Sequence, residues 1–327
     1  MLATRIRVYV NMTDTSKASV TLVTIGADEC GQRVDNFLLR MLKGVPKSHV
    51  YRIVRSGEVR VNKGRIDVTY RLAEGDVLRI PPVRVAEKVD TSSASAAATQ
   101  VEIPVIFEDD ALIALNKPSG MAVHGGSGLS FGVIELLRAQ RPQARFLELV
   151  HRLDRDTSGI LLVAKKRSAL TKLHEMLRDN HQIDKRYLAL VEDVWPHTRN
   201  HVKLKLLKFE TPDGERRVKV SEDGLSSHTV VNRRQVWADC SLVECELKTG
   251  RTHQIRVHLA QSGHPILGDD KYGEPAVNRA LQKRGLRRMF LHAWRLTLIH
   301  PLTGDKLVLE APLPDELQSF LNVLNAK

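Results

Sequence analysis

The 327-residue chain has only three cysteines, Cys30, Cys240 and Cys245. They form no CxxC pair, and the histidines around them lack zinc-finger spacing, so a disulfide scaffold and a structural zinc site are both without support. A reducing, cytoplasmic setting is the simplest expectation. Long apolar runs are missing too: none approaches the ~18–20 residues that a membrane span requires. The opening MLATRIRVYVNMTDT has no continuous apolar stretch of the kind a signal peptide carries and reads as a short basic tail. Met12 is an alternative start. Acidic residues are in deficit, with 38 Asp+Glu against 50 Lys+Arg, for a formal charge of +12. A surplus of that size favours a polyanionic partner, nucleic acid before anionic membrane. Apolar residues at 42% and charged residues at 27% exclude a largely disordered chain.

Several chemistries are excluded by their missing motifs. There is no GxxxxGK[ST] phosphate loop, no GxGxxG after a strand, no HExxH and no HxE…PCxxC. The run His124-Gly125-Gly126-Ser127-Gly128 is like a hydrolase oxyanion loop, but no GxSxG elbow accompanies it. It reads as a Gly-rich loop near a site.

What is present divides the chain. Residues 86–100 read AEKVDTSSASAAATQ, too poor in large apolar side chains to offset the entropy of ordering them. We therefore expect a tail over 1–30, a small domain over 31–85, a linker over 86–101 and a larger domain over 102–327. Residues 33–84 carry 12 Lys/Arg and 5 Asp/Glu. Val34, Phe37, Leu38, Met41 and Leu42 follow the spacing of an amphipathic helix, broken by Gly44 and Pro46. A second helix is expected from about Lys47 to Arg55, with Val50, Ile53 and Val54 inward and Gly57 as its stop. Strands are expected over Val59–Asn62 and Asp76–Ile80, with a turn at Lys63-Gly64. The stretches RVDNFLLRML, VPKSHVYRIVRSGEVRVNKGRI and LAEGDVLRI resemble the S4 RNA-binding domain. The resemblance implies that Lys47, Tyr51, Arg52, Arg55, Arg60, Lys63 and Arg65 face RNA, supplying affinity and placement rather than chemistry.

The larger part shows β-like runs at 111–115, 160–164, 187–191, 241–247 and 294–299, and helical patterns near 131–139, 168–178 and 314–324. The strands outnumber the helices and do not alternate with them, which points to an α+β domain on a mostly antiparallel mixed sheet. Two polar clusters stand out, Val150 to Gly159 (VHRLDRDTSG) and Thr249 to His258 (TGRTHQIRVH). Dense charge beside an apolar strand is costly unless paired or opened to a cleft.

The run of LNKPSGMAVHGGSG, HRLDRDTSG with GILLVAKK, KRYLALV, TGRTHQIRVHLA, LGDDKYG and LHAWRLTLIHP, in that order from about residue 105 to 312, resembles the RluA family of pseudouridine synthases. The resemblance implies the fold of that catalytic domain and a reaction that breaks the C1′–N1 bond of a uridine in RNA, turns the uracil over and joins C5 to C1′, with no cofactor or metal. It makes Asp154 the essential residue, as a nucleophile or as a base at the sugar. It pairs Asp154 with Arg256, whose permanent charge and fork favour a carboxylate. It places Tyr187 against the uracil. Since a stacked base is out of reach, the nucleotide must be flipped out, and Arg152 is expected to help fill the gap, with His151, Arg251, His253 and Gln254 binding substrate. Asp156 is expected to be structural rather than half of a carboxylate pair. The expected substrate is 23S rRNA of the large ribosomal subunit, free or in an assembling particle, with no DNA or membrane partner and a monomeric enzyme. The alternatives are a tRNA pseudouridine synthase and a non-catalytic S4-type RNA-binding or ribosome-assembly factor.

Overall fold

A computed structural model describes residues 20–27, 29–42, 45–83, 101–125, 132–179, 182–196 and 198–326. The chain divides into two compact units, one up to Thr91 and one from Ser92. The segment expected as a linker lies outside the described residues up to position 100.

In the N-terminal unit, helices α1 (Val34–Met41) and α2 (Lys47–Arg55) sit with a three-stranded antiparallel sheet. Its strands are β1 (Thr21–Thr24), β2 (Arg60–Val61) and β3 (Val77–Ile80), with β3 in the centre. Val34, Phe37 and Leu38 of α1 and Val50, Ile53 and Val54 of α2 share one core with Leu72, Leu78 and Ile80. The spacing of these apolar positions is why both helices form. Gly57 follows α2 at φ +76°, a left-handed conformation that ends the helix without the penalty a side chain would incur. The tail expected over 1–30 is corrected at its end. Thr21–Thr24 pairs with Val77–Ile80, and Ile25 is buried in the core. Two β-branched threonines and an alternating short strand gave too weak a pattern to separate this edge strand from the basic residues before it.

In the C-terminal unit an 11-stranded sheet carries the fold. Its strands are β4 (Val105–Glu108), β5 (Leu112–Lys117), β6 (Glu148–Leu149), β7 (Ser158–Ala164), β8 (Ile183–Glu192), β9 (Arg199–Glu210), β10 (Arg216–Val220), β11 (Leu225–Val236), β12 (Cys240–Leu247), β13 (Leu291–Ile299) and β14 (Lys306–Glu310). The main path runs β10-β9-β11-β12-β8-β13-β7-β5-β4, with β14 on β13 and β6 on β7. Among the described residues only β13 and β7 pair in parallel, so the fold is α+β on a mostly antiparallel sheet. Helices α3 (Val133–Gln140), α4 (Arg167–Arg178), α5 (Gln254–Gln261), α6 (Pro275–Lys283) and α7 (Asp315–Asn325) join it.

Strands β5 and β7 are buried on both faces. Leu112, Ala114, Ile160 and Leu162 pack with Leu170 and Leu173 of α4, while Ile113, Leu115, Leu161 and Val163 pack with Val133, Ile134 and Leu137 of α3. Such continuous apolar strands mark the middle of a covered sheet. The parallel pair is the tightest point. Gly159 has φ +109° and faces Ala293, and a Cβ there would lie 2.2 Å from the Ala293 carbonyl oxygen. Next to it the Ser158 hydroxyl and His292 Nδ1 hydrogen-bond at 2.9 Å. The residues after Asp154 are thereby fixed in the sheet.

Candidate active site

Asp154 lies on the turn that leads from β6 into β7. Leu153 is buried in the core and Thr157 donates its N–H to the Asp154 carbonyl (3.2 Å). This local winding sends Leu153 inward and leaves the Asp154 side chain 19% exposed. The next two carbonyls are held from elsewhere in the unit. Lys117 Nζ donates to Arg155 O (2.9 Å), and also to Pro118 O and Met121 O (2.8 Å each). Ser119 Oγ donates to Asp156 O (2.8 Å), and the Arg288 guanidinium reaches Asp156 O (3.3 Å) and Ser158 Oγ (2.9 Å). Lys117 is fully buried, and burial pushes its ammonium down to about 7.

The second polar cluster enters α5. Gln254 braces the entry: its Oε1 accepts from Thr249 Oγ1 (2.8 Å) and Arg251 N (3.0 Å), and its Nε2 donates to His228 O (3.1 Å) and Thr229 Oγ1 (2.9 Å). His253 precedes the helix at φ +52°, a left-handed turn. Arg256, in the first turn of α5, is then buried at 4% exposure. Its Nε and Nη2 donate to Asp269 Oδ2 and Oδ1, both at 2.7 Å. Its Nη1 lies 3.5 Å from Asp154 Oδ2, and its guanidinium sits over the Tyr272 ring, 5.1 Å from the centroid. Burial opposes the charge of Arg256, but the Asp269 fork and the Asp154 carboxylate outweigh it and hold its pKa above the ordinary value.

His253 completes this side. Its Nε2 is 3.8 Å from Asp154 Oδ2, and its Nδ1 is 2.7 Å from the Tyr272 hydroxyl. That hydroxyl also accepts the Val218 N–H (2.9 Å). Burial lowers the pKa of His253, with Arg256 and Lys271 adding to the effect and Asp154 opposing it.

A cavity of about 460 Å³ opens beside Asp154, within the usual size of a ligand pocket. Every residue expected to be catalytic or substrate-binding in this unit lines it: Asp154, Tyr187, Arg256, Arg152, His151, Arg251, His253 and Gln254. Tyr187, on β8 between Cys245 and Ala293, is 9% exposed. Burial, and then the charge of Asp154, raise its pKa, so the phenol stays protonated through the neutral range. Arg152 and Arg251 are exposed at the cavity.

Two of the expected substrate-binding residues are also engaged within the protein. Gln254 has its amide occupied in bracing the 249–254 loop. His151 accepts the Leu162 N–H on Nε2 (3.2 Å), and burial pushes its pKa down to about 4, which makes it an uncharged piece of wall. Asp156, expected to be structural, directs its carboxylate to the exposed Arg155 (3.2 Å). Asp269, Tyr272, Lys117 and Lys185 were not singled out from the sequence, although LGDDKYG, LNKPSG and KRYLALV contain them. Among the described residues no three His, Cys, Asp or Glu gather as a metal site, and no helix is long and apolar enough to cross a membrane.

In the N-terminal unit Lys47, Arg52, Arg55, Arg60, Lys63 and Arg65 are exposed, while Tyr51 is half-buried. The Tyr51 hydroxyl donates to Asp35 (2.9 Å), which also takes the Arg33 fork. Lys47 Nζ and the Arg55 guanidinium lie 5.4 and 5.7 Å from the Tyr51 ring centre. The i, i+4, i+8 spacing puts these three on one stripe of α2.

Comparison with known proteins fits both units. Residues 111–261 match the family described as RNA pseudouridylate synthase, and residues 32–78 match the S4 domain. Ribosomal large subunit pseudouridine synthase C of Yersinia pestis is 56% identical over 312 residues, covering 95% of this chain and 97% of that protein. The protein of the same name from Escherichia coli (strain K12) is 54% identical over 315 residues, covering 95% and 98%. Among solved structures, human RNA pseudouridylate synthase domain containing 4 aligns with a TM-score of 0.58 at 26% identity, covering 71% of this chain and 96% of that one.

Proposed function

The chain belongs to the RNA pseudouridylate synthase family, and from that membership we propose that it isomerises uridines of large-subunit (23S) ribosomal RNA to pseudouridine, with Asp154 as the catalytic residue. The observation that carries this reading is the Asp154 carboxylate on the cavity wall, 3.5 Å from a buried Arg256 and beside Tyr187. The substrate class follows from relatives named for the large ribosomal subunit, with matches covering nearly the whole of both chains, and from the S4 domain.

The uridine is flipped from its stack, which costs a few kcal/mol, with the exposed Arg152 at the mouth to occupy the gap. Its uracil lies against Tyr187 and its C1′ faces Asp154. The ionised carboxylate acts as a nucleophile or as a base at the sugar, and Arg256 favours the ionised form on both routes. The C1′–N1 bond breaks, the uracil turns over within the cavity, and C5 bonds to C1′. The proton leaves C5 and N1 gains one, so the change is an isomerisation. The raised pKa of Tyr187 suits a ring that stacks and a hydroxyl that gives a hydrogen bond. His253 stands beside the same carboxylate, with its Nε2 3.8 Å away. Lys47, Arg52, Arg55, Arg60, Lys63 and Arg65 with Tyr51 hold the RNA backbone through phosphate contacts. We place the enzyme in the cytoplasm as a monomer, acting on free rRNA or on an assembling particle.

The test is tritium release from 5-³H-uridine-labelled large-subunit rRNA, from assembling particles and from tRNA, since C5 loses its hydrogen as the new bond forms. Release from large-subunit RNA is expected. Release from tRNA alone would move the substrate, and no release from any would leave an RNA-binding protein without this activity.

A further inference from the structure

The walls of the cavity beside Asp154 are nearly of one sign. Arg152, Arg178, Lys185, Arg251 and Arg256 line it, and Asp154 is the one carboxylate among its lining residues. Arg256 is already met by Asp269 and Asp154. Arg152, Arg178 and Arg251 are exposed, so water solvates them. Lys185 is different. It is half-buried, and its ammonium has no hydrogen bond or ion pair among the described residues. Its neighbour on the wall, His151, is uncharged and offers no counter-ion. Burial alone lowers the lysine's pKa, with no carboxylate opposing it.

A part-buried charge without a partner is costly. Residues that need nothing from an ammonium at this place would be better served by an apolar side chain, and β8 supplies many. Lys185 stands two residues before Tyr187. Alternate residues of a strand point the same way and lie about 6.6–6.8 Å apart. One step along the wall from the ring that takes the uracil there is thus an unmatched cation. The group of a uridine nucleotide that carries a full negative charge is its phosphodiester. A uracil carbonyl is neutral and would leave the lysine as unpaired as before.

We propose that Lys185 is the binding residue for a phosphodiester group of the flipped uridine nucleotide, so that the charge left open in the free enzyme is closed by the substrate. This rests on the RNA-isomerase reading above and names a contact within that site. The ammonium suits the task as a compact point charge that needs no fixed fork geometry.

The experiment uses the full-length protein and its Lys185→Gln and Lys185→Arg variants, with tritium release from large-subunit rRNA at several salt concentrations and thermal unfolding without RNA. Lys185→Gln is expected to raise KM about 10- to 100-fold and to lessen the slope of log KM against log salt by about 0.7–0.9. Lys185→Arg should recover most of both. The RNA-free Lys185→Gln protein should unfold at the same temperature as the parent or above it, because an unpaired charge has been removed; a lysine needed by the fold would give the opposite. An unchanged KM and salt slope, a fall in turnover with KM unchanged, or a lower unfolding temperature would each overturn the assignment of Lys185. If the parent protein releases no tritium from any RNA, the isomerase reading falls first and the lysine's role goes with it.

Discussion

Arg256 commits two of its three guanidinium nitrogens to Asp269, at 2.7 Å each, and turns the third toward Asp154 at 3.5 Å. The arginine is thus aimed by one carboxylate at another. Asp269 is itself held, accepting the backbone N–H groups of Lys271 (2.9 Å) and Tyr272 (3.1 Å). The short turn of LGDDKYG therefore sets the electrostatics of a residue more than 100 positions earlier in the chain.

Asp269→Asn should damage both fold and chemistry. Removing one partner of a buried ion pair costs about 3–5 kcal/mol. A guanidinium free to shift by about 1 Å costs on the order of 100-fold in rate. Thermal unfolding and tritium release on the same preparation check both effects. Full activity in the variant would show that Arg256 needs no such aim.

Tyr187→Phe separates ring from hydroxyl. The ring still stacks, so KM for rRNA should change by less than about threefold, while turnover falls about 10-fold with loss of the hydroxyl's hydrogen bond. Because the phenol's pKa is raised by burial and by Asp154, the parent enzyme should show no loss of rate between pH 8 and 9.5 from ionisation of this residue. Single-turnover rates across that range provide the check, and a basic limb that vanishes in the Phe variant would contradict the assignment.

Lys117 links stability to pH. Its folded-state value of about 7 lies below the ordinary 10.5. Between the two, the unfolded chain holds the extra proton, so this group's contribution to stability is flat below pH 7 and rises with pH above it, by at most about 1.4 kcal/mol per unit. Lys117→Met removes that dependence. The stability of the parent minus that of the variant, from denaturant melts at pH 6, 7.5 and 9, should grow with pH. Parallel curves would refute it. The variant also leaves the carbonyls of Pro118, Met121 and Arg155 without their donor, so it should be less stable than the parent throughout.

Gly159→Ala should be among the most harmful single substitutions in the C-terminal unit. The new Cβ meets the Ala293 carbonyl at 2.2 Å, on a backbone at φ +109° that only glycine adopts without strain. The loss should exceed about 3 kcal/mol, read as a lower unfolding temperature or failure to accumulate in soluble form. Gly250→Ala, with open space at its Cβ, is the matched control and should stay within about 1 kcal/mol of the parent.

Much of this was legible in the sequence for physical reasons. Helix α2 spans Lys47–Arg55, as its apolar spacing predicts; the run at 160–164 falls inside β7 because a covered sheet demands continuous apolar residues, and the run at 241–247 falls inside β12, where Ser241, Glu244 and Glu246 are buried among the apolar residues. Strands β9 and β11 were passed over, since charged and apolar residues mix along both of them. The helix α5 was hidden by its own function: QIRVHLAQ buries Gln254, Arg256 and His258, and polar residues inside a helix mask its apolar stripe. Asp154, Tyr187 and Arg256, which line one cavity, stand in long motifs that single them out. Asp269 and Lys117 were not singled out, because nothing local tells a buried, fully paired ion from one on the surface. Lys185 escaped for the converse reason, since lack of a partner is visible only once the surroundings are in place.

Asp154 is proposed to act on the uridine while Asp156, its neighbouring carboxylate, does not, and one comparison tests this directly. Parent, Asp154→Ala and Asp156→Ala proteins, each shown to be folded and to bind RNA, are compared for tritium release from 5-³H-uridine large-subunit rRNA. Release is expected from the parent, none above background from Asp154→Ala, and measurable release from Asp156→Ala. Turnover by Asp154→Ala, or equal and complete loss in both well-folded variants, would contradict it.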